Sequence, residues 1–337
     1  MKTPRLISFK LAQKIIIREK KKLFQESKIK LKEAHNTVAS RTITSPINLP
    51  LQNTAGLDGY IVSNKNFNKV SISNKDIKKK GEDLKKNKIL IKKNEQIDFI
   101  KIALLSSVGI TNLWVYKTLR VAVVSSGNEL IKSGKKIKDH QVYDSNKYQI
   151  IHFLKKFNIS VHDLGILKDD EIKVDKFYKK NQNKFDIIIS SGGSSFSSKD
   201  YISSFLSQNT ELLFKYVRIQ PGRPVIFSKL KFNYYFSLPG NPLAVFTNLF
   251  FLVSLFIDPS RKDNSSITKF YQSGFSENKK SNLTKFYRVK LSKNILYTHN
   301  SKGSAKLISL SEADGLAFVP EGNDKIKKGE KIRFIEF

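Results

Sequence analysis

Apolar residues near the start of the chain recur at helical spacing. Phe9, Ala12, Ile16 and Leu23 fall on one stripe, and this spacing predicts an amphipathic helix. The segment TSPINLPLQNTAGLDGY then ends in Asn, Gly and Asp residues. It is typical of an exposed turn carried on an extended strand.

From about Leu119 onwards, short apolar runs alternate with stretches of helical periodicity. The runs are VAVVS, VHDLGIL, DIIIS, YVRI, VIFS and YYFSL. This alternation predicts a βαβ sheet of buried parallel strands. Between the first two runs the pattern indicates a helix entered through Asp144 and Ser145, which are good N-cap residues. We therefore expect an α/β fold, with a three-layer α/β/α domain over residues 119–258.

After Pro259 the chain returns to two-residue alternation. The runs FYRVKLS, AKLISLS, GLAFVPEG and KIRFIEF predict a small all-β domain over residues 265–337. Residues 1–118 are then a separate N-terminal region of helix and extended chain.

Composition limits the classes of function. Lys and Arg number 61 against 29 Asp and Glu, a formal charge of +32. The lysines occur in short runs along the whole chain, so we interpret them as a solvated basic surface, with attraction of anions as the functional alternative. No zinc-finger spacing or RNA-binding aromatic signature indicates a nucleic-acid module.

Three further features bear on location. The absence of cysteine excludes disulfides, thiolate metal ligands and a cysteine nucleophile, and it fits a reducing cytoplasm. Charged residues interrupt the first segment, which therefore does not resemble a signal peptide. The most apolar run, Leu243–Ile257, is too short to span a bilayer. We expect a cytoplasmic protein in which this run is a buried helix.

Two glycine loops follow predicted strands. In DIIISSGGSSFSSKD, Gly192 and Gly193 precede small hydroxyl residues and Asp200. Such a loop brings backbone N–H groups close to a phosphate, although a simple tight turn is the alternative. The segment SSGNEL offers Gly127 and Glu129, and loops at the carboxyl ends of neighbouring strands share one crevice. Glu129 could equally be an exposed acid at a helix start.

Several acids occupy predicted loops: Asp169 and Asp170 after GIL, Asp58 in LDGY and Asp83 in KKKGED. Carboxylates next to a phosphate repel it unless a divalent cation lies between them, so an acidic phosphate crevice implies Mg²⁺ or a similar ion. An N-cap role for Asp170 and turn roles for Asp58 and Asp83 are the alternatives. Arg223 in IQPGRP has the geometry to pair with an oxyanion.

The order of these motifs resembles the molybdopterin molybdenumtransferase family, which includes MoeA and the E domain of gephyrin. The resemblance rests on SPINLPLQNTAGLDGY, KKKGED, RVAVVSSGNEL, YDSN, GILKDD, DIIISSGGSSFSSKD, IQPGRP, LPGNP and GSAKLISLSEADGLAFVPEG. It implies a homodimer that binds adenylated molybdopterin, releases AMP with the help of a metal ion, and inserts molybdate. An upstream adenylyltransferase and apo-molybdoenzymes are the implied partners.

The resemblance also implies roles for individual residues. Asp58, Glu129 and Asp169 are the expected catalytic acids, and Glu129 and Asp200 the expected metal ligands. The expected substrate-binding residues are Gly127, Asp144, Asn146, Gly192, Gly193, Ser194, Asp200, Gln220 and Arg223.

The sequence departs from the family pattern in two places. Gln220 and Arg223 stand where lysines are common. Only about twenty residues separate LDGY from KKKGED, where the family carries a small β domain with an MTGAP-like motif. Two alternatives therefore stay open: a scaffold that holds molybdopterin without completing insertion, and an adenylyltransferase acting earlier in the pathway.

Overall fold

The structure, a computed structural model, describes residues 6–55, 77–193, 200–278, 282–298, 307–323 and 325–337 of the chain. Its contacts divide the chain into two units, one of Met1–Phe24 with Thr118–Phe337 and one of Gln25–Lys117. The first 24 residues thus group with the α/β domain rather than with the rest of region 1–118. The predicted boundaries 1–118, 119–258 and 265–337 stay predictions.

The predicted N-terminal helix is present as Phe9–Leu23 (α1). Ser8 caps it, because the Ser8 side chain accepts a hydrogen bond from the Leu11 N–H at 3.0 Å. Phe9, Ala12 and Ile16 are buried in the main core. This apolar stripe explains why α1 groups with the α/β domain.

The unit Gln25–Lys117 consists of short strands and one helix. The strands are Glu26–Lys30 (β1), Ile43–Thr44 (β2), Thr54–Ala55 (β3), Ile77–Lys78 (β4), Ile89–Ile91 (β5) and Asn112–Tyr116 (β6), and the helix is Phe99–Ser107 (α2). They pair antiparallel, β1 with β6, β2 with β5 and β3 with β4. Ile91, Ile97 and Leu105 are fully buried, so the unit has a small core of its own.

The α/β domain follows Thr118. Its strands are Leu119–Ser126 (β7), Leu130–Ile131 (β8), Val142–Tyr143 (β9), Ile159–Leu167 (β10), Ile187–Ser191 (β11), Glu211–Phe214 (β12), Ile219–Gln220 (β13), Ile226–Leu230 (β14) and Asn233–Leu238 (β15). Its first helices are Asn146–Leu154 (α3), Glu171–Asn181 (α4) and Tyr201–Asn209 (α5). The main sheet has the order β10-β7-β11-β15-β14-β12. Its first four strands are parallel.

Helices cover both faces of this sheet. Along β7, Val121 and Val123 face the core shared with α1 and α3, while Ala122 and Val124 face the core shared with α4 and α5. Successive residues of a strand point to opposite faces, which explains why the predicted strands read as continuous apolar runs. The predicted three-layer α/β/α architecture is confirmed.

The expectation that all six runs form one parallel sheet is wrong in two places. The run VIFS belongs to β14, which is antiparallel to β15 across a tight turn where Lys231 has φ 56°. In the run YVRI, only Ile219 lies in a strand, and β13 pairs outside the main sheet. Apolar content predicts burial but does not specify the partner strand. Strand β12, the antiparallel edge strand, was not among the predicted strands.

The apolar run Leu243–Ile257 is helical and buried. It comprises Pro242–Asn248 (α6), a π-helical turn at Leu249–Val253 and Ser254–Ile257 (α7). Most of its side chains belong to the main core. In the described part of the chain, no helix combines the length and apolar character needed to cross a membrane.

The C-terminal domain is built around a closed barrel. Its elements are Lys269–Ser273 (β16), Glu277–Asn278 (β17), Thr284–Ser292 (β18), Ile295–Thr298 (β19), Leu307–Ser311 (α8), Gly315–Val319 (β20), Lys325–Ile326 (β21) and Lys331–Glu336 (β22). The pairing β18-β19-β16-β22-β20 returns to β18, and closure removes exposed sheet edges. The run AKLISLS, predicted as a strand, instead contains α8. The β-rich character of the domain is confirmed.

Candidate functional site

A cavity of about 690 Å³ lies at the carboxyl ends of the parallel strands. Strand β7 ends at Ser126, β11 at Ser191 and β15 at Leu238. The loops that leave these strands form the walls. Open α/β sheets bind their ligands at this edge, so the cavity is the candidate site.

Eight of the predicted site residues line this cavity: Gly127, Glu129, Asp144, Asn146, Asp169, Gly192, Gly193 and Asp200. They come from loops separated by up to about 70 residues, which the sheet brings together. The predicted convergence of the two glycine loops on one crevice is therefore what the structure shows. The individual chemical roles stay predictions.

Asp169 is fixed by the SSGNEL loop. The Ser126 hydroxyl donates to Asp169 Oδ1 at 2.7 Å, and the Asn128 N–H donates to Asp169 Oδ2 at 3.3 Å. In return the Asp169 N–H donates to Asn128 Oδ1 at 3.2 Å. Both carboxylate oxygens are thus held in one orientation at the cavity wall.

The backbone at Gly192 and Gly193 requires glycine. Both residues have positive φ, 85° and 77°, a region that side chains disfavour. A Cβ on Gly192 would lie 2.4 Å from the Ser126 carbonyl oxygen, and one on Gly193 would lie 2.7 Å from Ile202 Cβ. The Gly192 N–H donates to the Leu238 carbonyl at 3.0 Å. The double glycine therefore joins β11 closely to its neighbours at the cavity.

Gly127 leaves room for the Glu129 carboxylate. A Cβ on Gly127 would lie 2.7 Å from Glu129 Oε1 and 2.9 Å from Oε2. Glu129 precedes strand β8, so the alternative of an acid at a helix start is wrong. Its carboxylate folds back over the glycine instead.

Asp144 and Asn146 lie where β9 passes into α3. Asp144 Oδ1 accepts a hydrogen bond from the Lys147 N–H at 3.2 Å, which makes Asp144 a side-chain cap, whereas Ser145 at the N-cap position makes no such bond. The Asn146 side chain donates to the Gly240 carbonyl at 2.7 Å. This bond ties α3 to the LPGNP loop across the cavity wall.

Asp200 begins α5 and accepts a hydrogen bond from the Ser203 N–H at 2.8 Å. Asp170 plays the same capping role for α4, with the Lys173 N–H at 2.9 Å, as its alternative interpretation predicted. Asp170 does not line the cavity in the described part of the chain, whereas Asp200 does.

Four predicted residues fall outside this group. Gln220 and Arg223 are exposed and are not among the described residues that line the cavity, because the IQPGRP turn follows β13, which pairs with the barrel strand β18. Their neighbour Pro224 does line it. Asp58 and Ser194 lie outside the described residues.

The structure adds wall residues that sequence reasoning missed, among them Ser126, Tyr143 and Tyr201. Ser126 had a detectable signal, because it is a hydroxyl residue directly before the loop glycine Gly127 in SSGNEL. Tyr143 had none. Its hydroxyl donates to the Lys135 carbonyl at 2.8 Å and so fixes the lysine-rich loop between β8 and β9.

The lining is strongly acidic. It contains the carboxylates of Glu129, Asp144, Asp169 and Asp200, and among its described residues there is no Lys or Arg. The described residues hold no group of three or more His, Cys, Asp or Glu side chains arranged to bind a metal ion on their own. The charged groups among the described lining residues are therefore all carboxylates.

Two protein-family models match the chain. Residues 122–258 match a family described as "Probable molybdopterin binding domain", and residues 272–337 match the "MoeA C-terminal region (domain IV)". The first match is to a domain described as molybdopterin-binding, and the second names MoeA itself. The cavity lies within the first match, and the second covers most of the barrel. The resemblance expected from the motifs is confirmed.

Curated relatives carry corresponding names. The molybdopterin molybdenumtransferase of Haemophilus influenzae is 32% identical over 210 residues, which are 62% of this chain and 51% of that enzyme. A molybdopterin biosynthesis protein of Methanocaldococcus jannaschii is 25% identical over an alignment of 397 positions, gaps included, which covers 97% of each chain. The chain thus spans about half the length of the Haemophilus enzyme it matches.

Solved structures share the fold. A molybdopterin biosynthesis MoeA protein from Pyrococcus horikosii has a TM-score of 0.81 and 23% identity, covering 98% of this chain and 99% of that one. A molybdenum cofactor biosynthesis protein from Pyrococcus furiosus has a TM-score of 0.70 and 19% identity, covering 99% of this chain and 100% of that one.

Proposed function

We propose that the protein acts in molybdenum cofactor biosynthesis by inserting molybdate into adenylated molybdopterin with release of AMP. The observation that carries the proposal is the meeting of the double-glycine loop with four carboxylates in one cavity, inside the segment that matches the molybdopterin-binding family. A structural protein has no need of four acids gathered at the ligand edge of a sheet.

The glycine loop is suited to the phosphate part of this substrate. Gly192 and Gly193 carry no side chains that would block approach, and α5 begins a few residues later at Tyr201. Backbone N–H groups before a helix favour negative charge. In the proposal, Gly192, Gly193 and Ser194 bind the pterin phosphate. Gln220 and Arg223 contact the oxyanion only from outside the described cavity lining.

The acid residues fit a divalent cation held jointly with substrate. Mg²⁺ is commonly bound through one or two carboxylates, with phosphate oxygens and waters completing its shell. The four carboxylates of the described lining can supply such ligands. Glu129 and Asp200, which the family resemblance implies as metal ligands and which both line the cavity, are the proposed ligands. When bound, the ion would neutralise charge on the adenylate phosphate.

Asp169 then serves the reaction through its fixed orientation. Held by Ser126 and Asn128, its carboxylate keeps one position without reorganising when substrate enters. We assign Asp58 to the same reaction on the family resemblance alone. A cytoplasmic homodimer, supplied by an adenylyltransferase and delivering to apo-molybdoenzymes, completes the proposal.

In the proposal, the chain inserts molybdate without the small β domain that the family carries between the positions of LDGY and KKKGED. An alignment of 397 positions with the Methanocaldococcus protein covers 97% of this 337-residue chain, so about 70 of those positions have no residue in this chain. This difference supports a deletion without locating it.

A scaffold function is the second candidate, and the exposed positions of Gln220 and Arg223 favour it. AMP release by the wild type separates the candidates, and two substitutions test the assigned roles: Glu129→Gln and Asp58→Asn. The proposed enzyme loses AMP release in both variants while it keeps its fold and still binds molybdopterin in calorimetry. Unchanged AMP release in both would refute the assigned roles.

A further inference from the structure

A buried lysine stands directly behind the cavity wall. The Lys147 side chain is 3% exposed, on the first turn of α3. Burying an ammonium group is costly unless opposite charges surround it. The two carboxylates that pair with the Lys147 ammonium indicate why this lysine is buried here.

One partner is Asp144, which lines the cavity and is itself 2% exposed. The Lys147 ammonium lies 3.8 Å from Asp144 Oδ2, and the Lys147 N–H donates to Oδ1 at 3.2 Å. Among the described residues, Oδ2 has no hydrogen-bond partner. Both oxygens of this wall carboxylate are therefore oriented by the same residue.

The other partner is Asp163 on β10, whose Oδ2 lies 3.3 Å from the ammonium. Asp163 Oδ1 accepts a hydrogen bond from the Gly165 N–H at 2.8 Å, at the irregularity in the pairing of β10 with β7. Beyond this point β10 ends at Leu167, close to Asp169 in the chain. Lys147 thus connects the strand that leads to Asp169 with the wall that carries Asp144.

From this arrangement we infer that Lys147 is a positioning residue for the candidate site. It fixes the Asp144 carboxylate, which is almost inaccessible to water, and it sets α3 against β10. The activity test of this inference rests on the proposed function, because it measures AMP release. The stability test does not, because it measures unfolding without ligand.

The test compares five variants of the full-length protein. Lys147→Met removes the charge, Lys147→Arg keeps it, Asp144→Asn removes the partner, and Asp144→Asn/Lys147→Met removes both. Lys155→Met is the matched control, because Lys155 is an exposed lysine at the C-terminal end of the same helix.

In AMP release from adenylated molybdopterin, Lys147→Met lowers kcat/KM at least about tenfold, because a buried carboxylate loses the opposite charge of its ion pair. Lys147→Arg recovers most of that loss, and Lys155→Met has no effect. The double variant is no slower than Asp144→Asn alone, since Lys147 acts through Asp144. Losses that multiply in the double variant would overturn the inference.

Thermal unfolding without ligand separates this inference from the proposed function. We expect Lys147→Met to lower the midpoint because it leaves Asp144 buried without a counter-charge, and Asp144→Asn to restore part of that loss in the double variant. Additive midpoint shifts would overturn the inference even in an active enzyme. Absence of AMP release from the wild type would refute the proposed function alone, and the midpoints would still decide the role of Lys147.

Discussion

The Ser126 hydroxyl donates a hydrogen bond to Asp169 Oδ1 at 2.7 Å, joining two loops that are 43 residues apart in sequence. Asn128 adds a second bond to the other carboxylate oxygen. The acid that follows β10 is thus oriented by the loop that follows β7. This relationship makes the two loops one functional element and yields the first prediction.

Ser126→Ala removes the donor and leaves the Asp169 carboxylate less restrained. A hydrogen bond to a charged group contributes about 1.5–3 kcal/mol, so we expect kcat/KM for AMP release to fall about tenfold or more. Ser125→Ala is the matched control, because the buried Ser125 hydroxyl has no hydrogen-bond partner among the described residues. Equal effects of the two substitutions would contradict the assignment.

Gly192→Ala tests the close approach of the glycine loop to β7. The new Cβ would lie 2.4 Å from the Ser126 carbonyl oxygen, a backbone atom. Gly134 has nearly the same φ, 87° against 85°, but has nothing within 4 Å, so Gly134→Ala measures the cost of the backbone conformation alone, about 1–2 kcal/mol. Urea unfolding should give a clearly larger loss for Gly192→Ala. Similar losses would show that the loop can relax.

Gly127→Ala should impair the reaction without unfolding the domain. Its Cβ would meet the end of the Glu129 side chain, which can rotate away and leave the cavity. We expect a loss of AMP release close to that of Glu129→Gln, with little change in the unfolding midpoint. Full activity in Gly127→Ala would mean that the position of Glu129 over Gly127 is irrelevant to turnover.

Lys20 gives a prediction about pH and stability. Burial lowers the pKa of Lys20 from 10.5 to about 8, and its ammonium donates to the Arg261 carbonyl at 2.6 Å. Because the folded-state pKa lies below the unfolded value, the cost of burying the charge is fully present below pH 8 and is relieved between pH 8 and 10.5.

The stability of the wild type relative to Lys20→Met should therefore rise across that interval, by about 3 kcal/mol in the limit set by the shift. Urea unfolding at pH 8 and pH 10 measures the difference. A constant difference between the two proteins would contradict the lowered pKa.

Much of the fold could be predicted because buried apolar residues recur at a spacing that differs between helices and strands. The stripe containing Phe9 and Ile16 predicted α1, and the runs around Val121 and Ile187 predicted central strands, since a strand covered on both faces is apolar throughout. The site followed from the same logic, because loops at the ends of such strands meet. Gly127, Glu129 and Gly192 were found in this way.

What failed depended on pairing partners, which periodicity does not encode. Ile219 is buried as predicted, yet its strand pairs with the barrel strand β18, and this takes Gln220 and Arg223 away from the cavity wall. The hydrogen bond from Ser126 to Asp169 could not be predicted either, because Asp169 becomes a neighbour of Ser126 only when β10 lies beside β7.

The central claim is that this cavity processes adenylated molybdopterin. The most direct test incubates the purified full-length protein with adenylated molybdopterin, Mg²⁺ and molybdate, and follows AMP release together with reconstitution of a molybdenum-free apoenzyme. We predict molybdate-dependent AMP release that reconstitutes the apoenzyme. Tight binding of molybdopterin with neither product would contradict the claim and identify the protein as a scaffold.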